Sequence, residues 1–166
     1  MDDVPTLEDI RVAAQAIAGI AHRTPLVPSV LPGEVLLKLE SLQPIGAFKL
    51  RGAVNAISKL DDEQKSRGVA CASTGNHGRA VAYAAKRQGI RATVCLSNLV
   101  PDVKVNAIEA LGAEVRRCGA TQDDAEHEVR RLVAEEGFVD LSPFDHPDVI
   151  AGQGTIGIEL LEDRPD

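Results

Sequence analysis

The strongest constraint on this fold is an alternation between residues 69 and 141. Short apolar runs stand at 69–72 (VACA), 92–96 (ATVCL), 114–118 (EVRRC) and 138–141 (FVDL). Segments of helical period separate them: 77–88, closed by Gly89; 102–111, capped by Asp102 and closed by Gly112; and a charged run started by Thr121 and Asp124 that ends near Glu136. Strand–helix–strand units of this kind give parallel strands joined by right-handed crossovers. Aromatic residues are only 2% of the chain, whereas hydrophobic residues make up 44%. The core is therefore built from Ala, Val, Ile and Leu, as in parallel sheets covered by helices. The expected class is α/β, with open parallel sheets and helices on both faces.

The flanks read less regularly. Thr6 with Asp9 is a helix N-cap and its back-bonding partner, and the helix is expected to run to about Ala21. Residues 22–33 are a proline-rich connection. A strand is expected over 35–40, a loop over 43–47, and a helix over 48–60. The last helix, 147–161, carries Gly152, Gly154 and Gly157. Its apolar face (Ile156, Leu160, Leu161) needs a partner: it packs back on the N-terminal part, or it belongs to a longer chain.

The bulk properties exclude several function classes. A chain of 166 residues suits one domain or two small lobes. Net charge is −7, which argues against nucleic acid or an anionic membrane as partner. A local anion site stays open, because a few N–H groups and one helix end override the global field. Cys71, Cys95 and Cys118 form no CxxC pair, and buried thiols in a reducing compartment are expected. The start, Met1-Asp2-Asp3, lacks the layout of a signal peptide, and no apolar run reaches membrane-spanning length. These features lead to the expectation of a soluble, cytoplasmic protein.

Two stretches carry chemistry. Lys49 lies in SLQPIGAFKLRGA (41–53), where a turn-prone stretch (Pro44, Gly46) leads into a lysine between Phe48 and Leu50. Apolar neighbours desolvate an ammonium and lower its pKa, and a neutral amine can capture an aldehyde covalently. The plainer reading is a surface lysine at a helix start. Phe48 either lies against a planar ring or anchors the core. The second stretch is STGNHG (73–78), at a strand-to-helix joint. Ser73, Thr74 and Asn76 offer hydroxyl and amide groups, Gly75 permits close backbone approach, and the helix start offers N–H groups to a carboxylate or phosphate. The plainer reading is an N-cap turn, and His77 taken alone is a structural histidine. Gly152-Gln-Gly-Thr155 either approaches a cofactor or permits close helix packing. Asp140, Asp145 and His146 match no ligand spacing, so no metal is assigned. No GxGxxG or GxxxxGK[ST] occurs.

QPIGAFKLRGA and STGNHGRA, followed by LGAEV (111–115) and AGQGT (151–155), resemble the pyridoxal-phosphate enzymes of the threonine dehydratase and serine racemase family. The resemblance runs along nearly the whole chain, in order, and is nearest to the hydroxyectoine-utilisation and 3-hydroxyaspartate dehydratase branch. It implies fold type II, the tryptophan synthase β-like fold. Residues 1–51 and 146–166 would be parts of a large cofactor-binding lobe, and 52–145 a smaller inserted lobe. It implies pyridoxal 5′-phosphate as cofactor. Lys49 matches the lysine that holds the cofactor and later moves the substrate Cα proton. Phe48 matches the aromatic beside the ring, and Asn76 the asparagine that bonds the phenolic oxygen. Ser73, Thr74, Gly75 and His77, with Asn76, match the loop that grips the substrate carboxylate.

The implied activity is β-elimination of water from a β-hydroxy amino acid, giving an oxo acid and ammonia, by a protein that dimerises when full length. The partner is a small amino acid, not nucleic acid or membrane. Three departures stand out. Thr74 replaces a common serine that acts as acid or base in racemases, which disfavours racemisation. Ala47 and Ile45 replace a common serine and threonine. Family members are roughly twice as long, and their tetraglycine phosphate loop is not in these residues. Racemase or β-replacement chemistry, and a non-catalytic fragment or anion-binding module, are the alternatives.

Overall fold

A computed structural model describes residues 4–165; the expectation placed on Met1-Asp2-Asp3 lies outside them. Thr6 opens α1 (Leu7–Ala16) through a reciprocal cap. The Asp9 N–H donates to Thr6 Oγ1 at 3.2 Å, and the Thr6 N–H to the Asp9 carboxylate at 2.7 Å. The helix ends at Ala16, short of the expected Ala21, and the chain turns away through Gly19, whose φ is +76°.

The proline-rich connection holds a strand that the sequence did not announce. β1 (Leu26–Pro28) pairs antiparallel with β2 (Leu36–Lys38). Pro28 sits at the strand's end, in a two-stranded ladder with a free edge, where a missing N–H is tolerated. The strand expected over 35–40 is thus shorter, because the chain winds into a 3-10 turn at Glu40–Leu42.

α2 (Lys49–Ser58) is buried from Leu50 to Ile57. α3 (Asp62–Arg67) was not foreseen, although its signal is local: Asp61 and Gln64 form a capping box. There follow β3 (Val69–Ala72), α4 (Asn76–Gln88), β4 (Ala92–Leu96), α5 (Asp102–Glu109) and β5 (Glu114–Arg117). Asp102 is the first helical residue after Pro101, not the cap. α6 (Gln122–Arg131) carries the Thr121–Asp124 capping box and continues as a π turn to Gly137, whose φ is +72°. β6 (Val139–Asp140) and α7 (Pro147–Asp163) complete the fold.

The four later strands form one parallel sheet in the order β5-β4-β3-β6. β3 and β4 are wholly buried, and their side chains alternate between two cores. Val69, Cys71, Val94 and Leu96 face Val81, Ala85 and Ile108 of α4 and α5. Ala70, Ala72 and Cys95 face Ala125, Val129 and Leu132 on the α6 side. Helices therefore cover both faces, as expected. The N-terminal part adds the antiparallel pair rather than a further parallel sheet. Cys71 and Cys95 are buried free thiols, whereas Cys118 lies just past β5 and is half-buried.

α7 packs back on α1 and α2, leaving Leu161 exposed. Gly52 and Gly152 let α2 and α7 approach closely, so the AGQGT stretch serves helix packing here. Beside this crossing lies Arg51, fully buried. Its guanidinium meets Glu40 at 2.8 Å and Glu159 at 2.6 Å, and Lys38 reaches the same Glu159 at 2.7 Å. No helix among the described residues is long and apolar enough to cross a membrane.

Candidate active site

Lys49 is the first helical residue of α2, and its direction is set by its neighbours. Gly46 turns the chain with φ +72°, Ile45 and Ala47 are buried ahead of the helix, and Leu50 and Arg51 are buried behind it. With those four side chains facing inward, Lys49 projects outward over the segment that follows β6. Its Nζ donates to the Pro143 carbonyl at 3.1 Å. It lies 5.3 Å from the centroid of Phe48 and 5.9 Å from that of Phe144. Burial among these groups pushes the Lys49 ammonium below the ordinary lysine value. Phe48 is 41% exposed, so it offers a ring face and anchors no core.

The 73–77 stretch leaves the carboxyl end of β3, the side of an open α/β sheet where ligands bind. The Ser73 N–H still donates to the Cys95 carbonyl at 3.1 Å, which extends the sheet by one bond. The Ser73 hydroxyl then accepts from the Gly75 N–H at 3.3 Å. Gly75 is the N-cap of α4, and no side chain caps the helix or places an acid in its first turn. The first-turn N–H groups therefore stay available for an anion. A Cβ on Gly75 would meet nothing within 4 Å, so the space beside it is open. Thr74 and Asn76 border a cleft of about 330 Å³ that also reaches Arg79 and Lys104.

His77 is turned the other way. It is 3% exposed, and its Nε2 lies 2.8 Å from the Leu141 carbonyl. A carbonyl only accepts, so Nε2 carries the proton; Nδ1 is the bare nitrogen, buried without a partner among the described residues. Burial foremost, then the charges of Lys49 and His146, lowers the His77 pKa to about 4. At neutral pH the ring is uncharged and turned inward.

The structure thus gathers the two stretches on one segment: Leu141 holds His77, and Pro143 holds Lys49. Sequence reasoning missed Leu141, Pro143, Phe144, Arg79 and Lys104. The first three had a signal in their place just past a strand's carboxyl end. Among the described residues no group of three His, Cys, Asp or Glu is placed to hold a metal ion. Neighbouring protein atoms partly desolvate the exposed Asp140 and hold its carboxyl above the usual range, despite the charge of His146.

The donor set suits an aldehyde-bearing aromatic cofactor and a carboxylate. It combines an amine shifted toward neutrality, an accessible ring face, an amide, two hydroxyls and an uncapped helix start.

Known proteins point the same way. The family model described as pyridoxal-phosphate dependent enzyme matches residues 17–166. An L-threonine ammonia-lyase of Thermotoga maritima is 45% identical over 97% of this chain and 41% of its own length. An L-threo-3-hydroxyaspartate ammonia-lyase of Saccharomyces cerevisiae is 43% identical over 96% of this chain and 51% of its own. The solved structure of maize serine racemase superposes with a TM-score of 0.93 at 38% identity, covering 98% of this chain and 51% of that one. The chain spans about half the length of the curated relatives it matches.

Proposed function

This chain belongs to the pyridoxal-phosphate-dependent enzyme family, and from that premise we propose that it carries the reactive lysine and the carboxylate loop of a dehydratase. The reaction is elimination of water from a β-hydroxy amino acid, after which the released enamine takes up water and gives an oxo acid and ammonia. When bound, pyridoxal phosphate supplies an aldehyde carbon that captures amines and a ring that spreads the charge left at Cα. The observation that carries the reading is the shared anchorage of Lys49 and His77 on residues 141–143. It sets the amine and the anion-binding turn over one floor.

Each residue has a task in this reading. Lys49 is the group that holds the cofactor, and the same Nζ accepts the substrate Cα proton, helped by its desolvation. Phe48 covers the ring, and Asn76 offers its amide to the phenolic oxygen. Ser73, Thr74, Gly75, Asn76 and His77 hold the substrate carboxylate through hydroxyls and main-chain N–H groups, which fixes Cα beneath the amine. Thr74 keeps a hydroxyl but adds a methyl group and a stiffer χ1, which disfavours proton delivery to the second face of Cα. That supports elimination over racemisation. The L-threonine and L-threo-3-hydroxyaspartate ammonia-lyases at 45% and 43% identity support the reaction class.

The same reading keeps 1–51 and 146–166 as parts of a larger cofactor-binding lobe, with 52–145 as the inserted lobe. Its support is that all four parallel strands fall within 52–145 while α7 returns to α1. It also includes a cytoplasmic homodimer. Exposed Val30, Leu31, Leu36 and Leu37 around the β1–β2 pair support a further covering surface there.

The test is borohydride reduction of the protein as its host makes it, after pyridoxal phosphate is added, followed by peptide mapping. The label is expected on Lys49 and absent from Lys49→Ala. A label on another lysine, or none, overturns the reading.

A further inference from the structure

Between the two carbonyls that hold His77 and Lys49 stands a side chain that the dehydratase reading leaves without a task. Leu141 is still tied to the sheet, its N–H donating to the Ala70 carbonyl at 2.9 Å. α7 starts at Pro147, with His146 as its cap. Residues 142–145 cross the gap, and their main chain bonds to no other main chain among the described residues. The Ser142 hydroxyl takes that role. It accepts from the Phe144 N–H and from the Asp145 N–H, both at 3.3 Å. A serine oxygen that accepts from the N–H groups two and three residues ahead closes a tight turn.

The turn presents the surroundings of the amine. Pro143, whose ring fixes one backbone angle, lends its carbonyl to Lys49 Nζ at 3.1 Å. The next residue, Phe144, is 69% exposed, yet its ring centroid lies 5.9 Å from the same Nζ. With so little packing, the ring keeps its place through its main chain, and Ser142 fixes that main chain. We propose that Ser142 is a positioning residue for Lys49: its hydroxyl pins the 142–145 turn, which aims the Pro143 carbonyl and the Phe144 ring at the amine. The proposal rests on the dehydratase reading, which makes Lys49 the reacting amine. Without the pin the turn gains backbone freedom, water reaches Nζ past the displaced ring, and the amine loses its desolvation and its aim. Burial holds the Lys49 ammonium below the ordinary lysine value, so losing the pin moves it back upward.

Competitive acetylation across a pH series, read by peptide mapping of the protein as its host makes it, reports the Lys49 midpoint without cofactor. Ser142→Ala is expected to raise it toward 10.5, by an amount comparable to Phe144→Ala. Ser142→Thr keeps the hydroxyl and should keep the parent's midpoint. The double variant Ser142→Ala/Phe144→Ala should rise no further than Phe144→Ala alone, since both act through one ring. His77, Asp145 and His146 are unchanged in all these variants, so a shift reports the turn. An unchanged midpoint in Ser142→Ala, a threonine variant that behaves like the alanine one, or additive rises overturn the proposal. Borohydride trapping with pyridoxal phosphate separates it from the parent reading. Ser142→Ala should slow labelling of Lys49 by about tenfold, the scale of a small misplacement of a reacting group. Labelling of Lys49 as fast as in the parent overturns the pin and leaves the dehydratase reading. No label on Lys49 in the parent, with the midpoints shifted as expected, supports the pin and counts against the dehydratase.

Discussion

Gly52 and Gly152 face each other where α2 and α7 cross, and neither has room for a side chain. A Cβ on Gly152 would lie 2.6 Å from the Gly52 Cα and 2.6 Å from the Arg51 carbonyl oxygen. Both obstacles are backbone, which cannot swing aside. This contact sets the distance between the helix that begins with Lys49 and the helix that begins just after Phe144.

Gly152→Ala is accordingly expected to destabilise the protein by about 1–3 kcal/mol, the usual range for overpacking. Gly157 lies on the same helix, and a Cβ there meets nothing within 4 Å. Gly157→Ala should leave stability unchanged or raise it by up to about 1 kcal/mol through helix propensity. Urea unfolding of the two variants checks the pair; equal effects would refute the packing argument.

The buried Arg51 ion pairs should be intolerant of losing the cation. Arg51→Met leaves Glu40 and Glu159 without their shared partner, and a broken buried pair costs about 3–5 kcal/mol. Burial raises the Glu40 pKa, but hydrogen bonds from Arg51 and Thr24 outweigh it and leave that carboxyl below the ordinary value. Its stabilising effect is therefore present above the unfolded value near 4.5 and fades as pH falls through the lower folded one. Glu40→Gln should flatten the acid limb of a stability–pH curve in that window.

His77 supplies a second acid limb at higher pH. Its pKa falls from 6.5 unfolded to about 4 folded, chiefly through burial. The native state keeps full stability above pH 6.5. It loses about 3 kcal/mol as pH falls toward 4, because the unfolded chain takes up a proton that the buried ring refuses. NMR of the imidazole should show the Nε2–H tautomer and no titration above pH 5. His77→Gln should remove that part of the slope.

The Lys49 amine is the fourth point of test. Its ammonium is held below the lysine value of 10.5 by burial. Competitive acetylation across a pH series should give Lys49 a midpoint lower than that value. A midpoint at or above it would mean that the Phe48 and Phe144 rings do not desolvate the amine. Phe144→Ala, which removes one of them, should move the midpoint back up.

Much of this protein is written locally. Apolar runs and helical periods place β3, β4, α4 and α6, because strand alternation and helical turns repeat within a few residues. Capping boxes at Thr6 and Thr121 mark helix starts, since the bonds they make span only three residues. The chemistry available to Lys49 and to the STGNH turn follows from residue type and from neighbours in the chain. The missed elements were weaker signals of the same sort: prolines hid β1, and the short α3 showed only its capping box.

Tertiary structure alone decided the rest. Nothing near Lys49 in sequence names Pro143 as its acceptor, and nothing near His77 names Leu141. Both contacts exist because β6 joins the sheet beside β3, last in sequence but next to it in space. The tautomer of His77 and the burial of Arg51 likewise depend on partners distant in sequence. Local sequence sets what each segment can form; which segments meet depends on how the crossovers stack helices on the sheet, and only the folded chain specifies that.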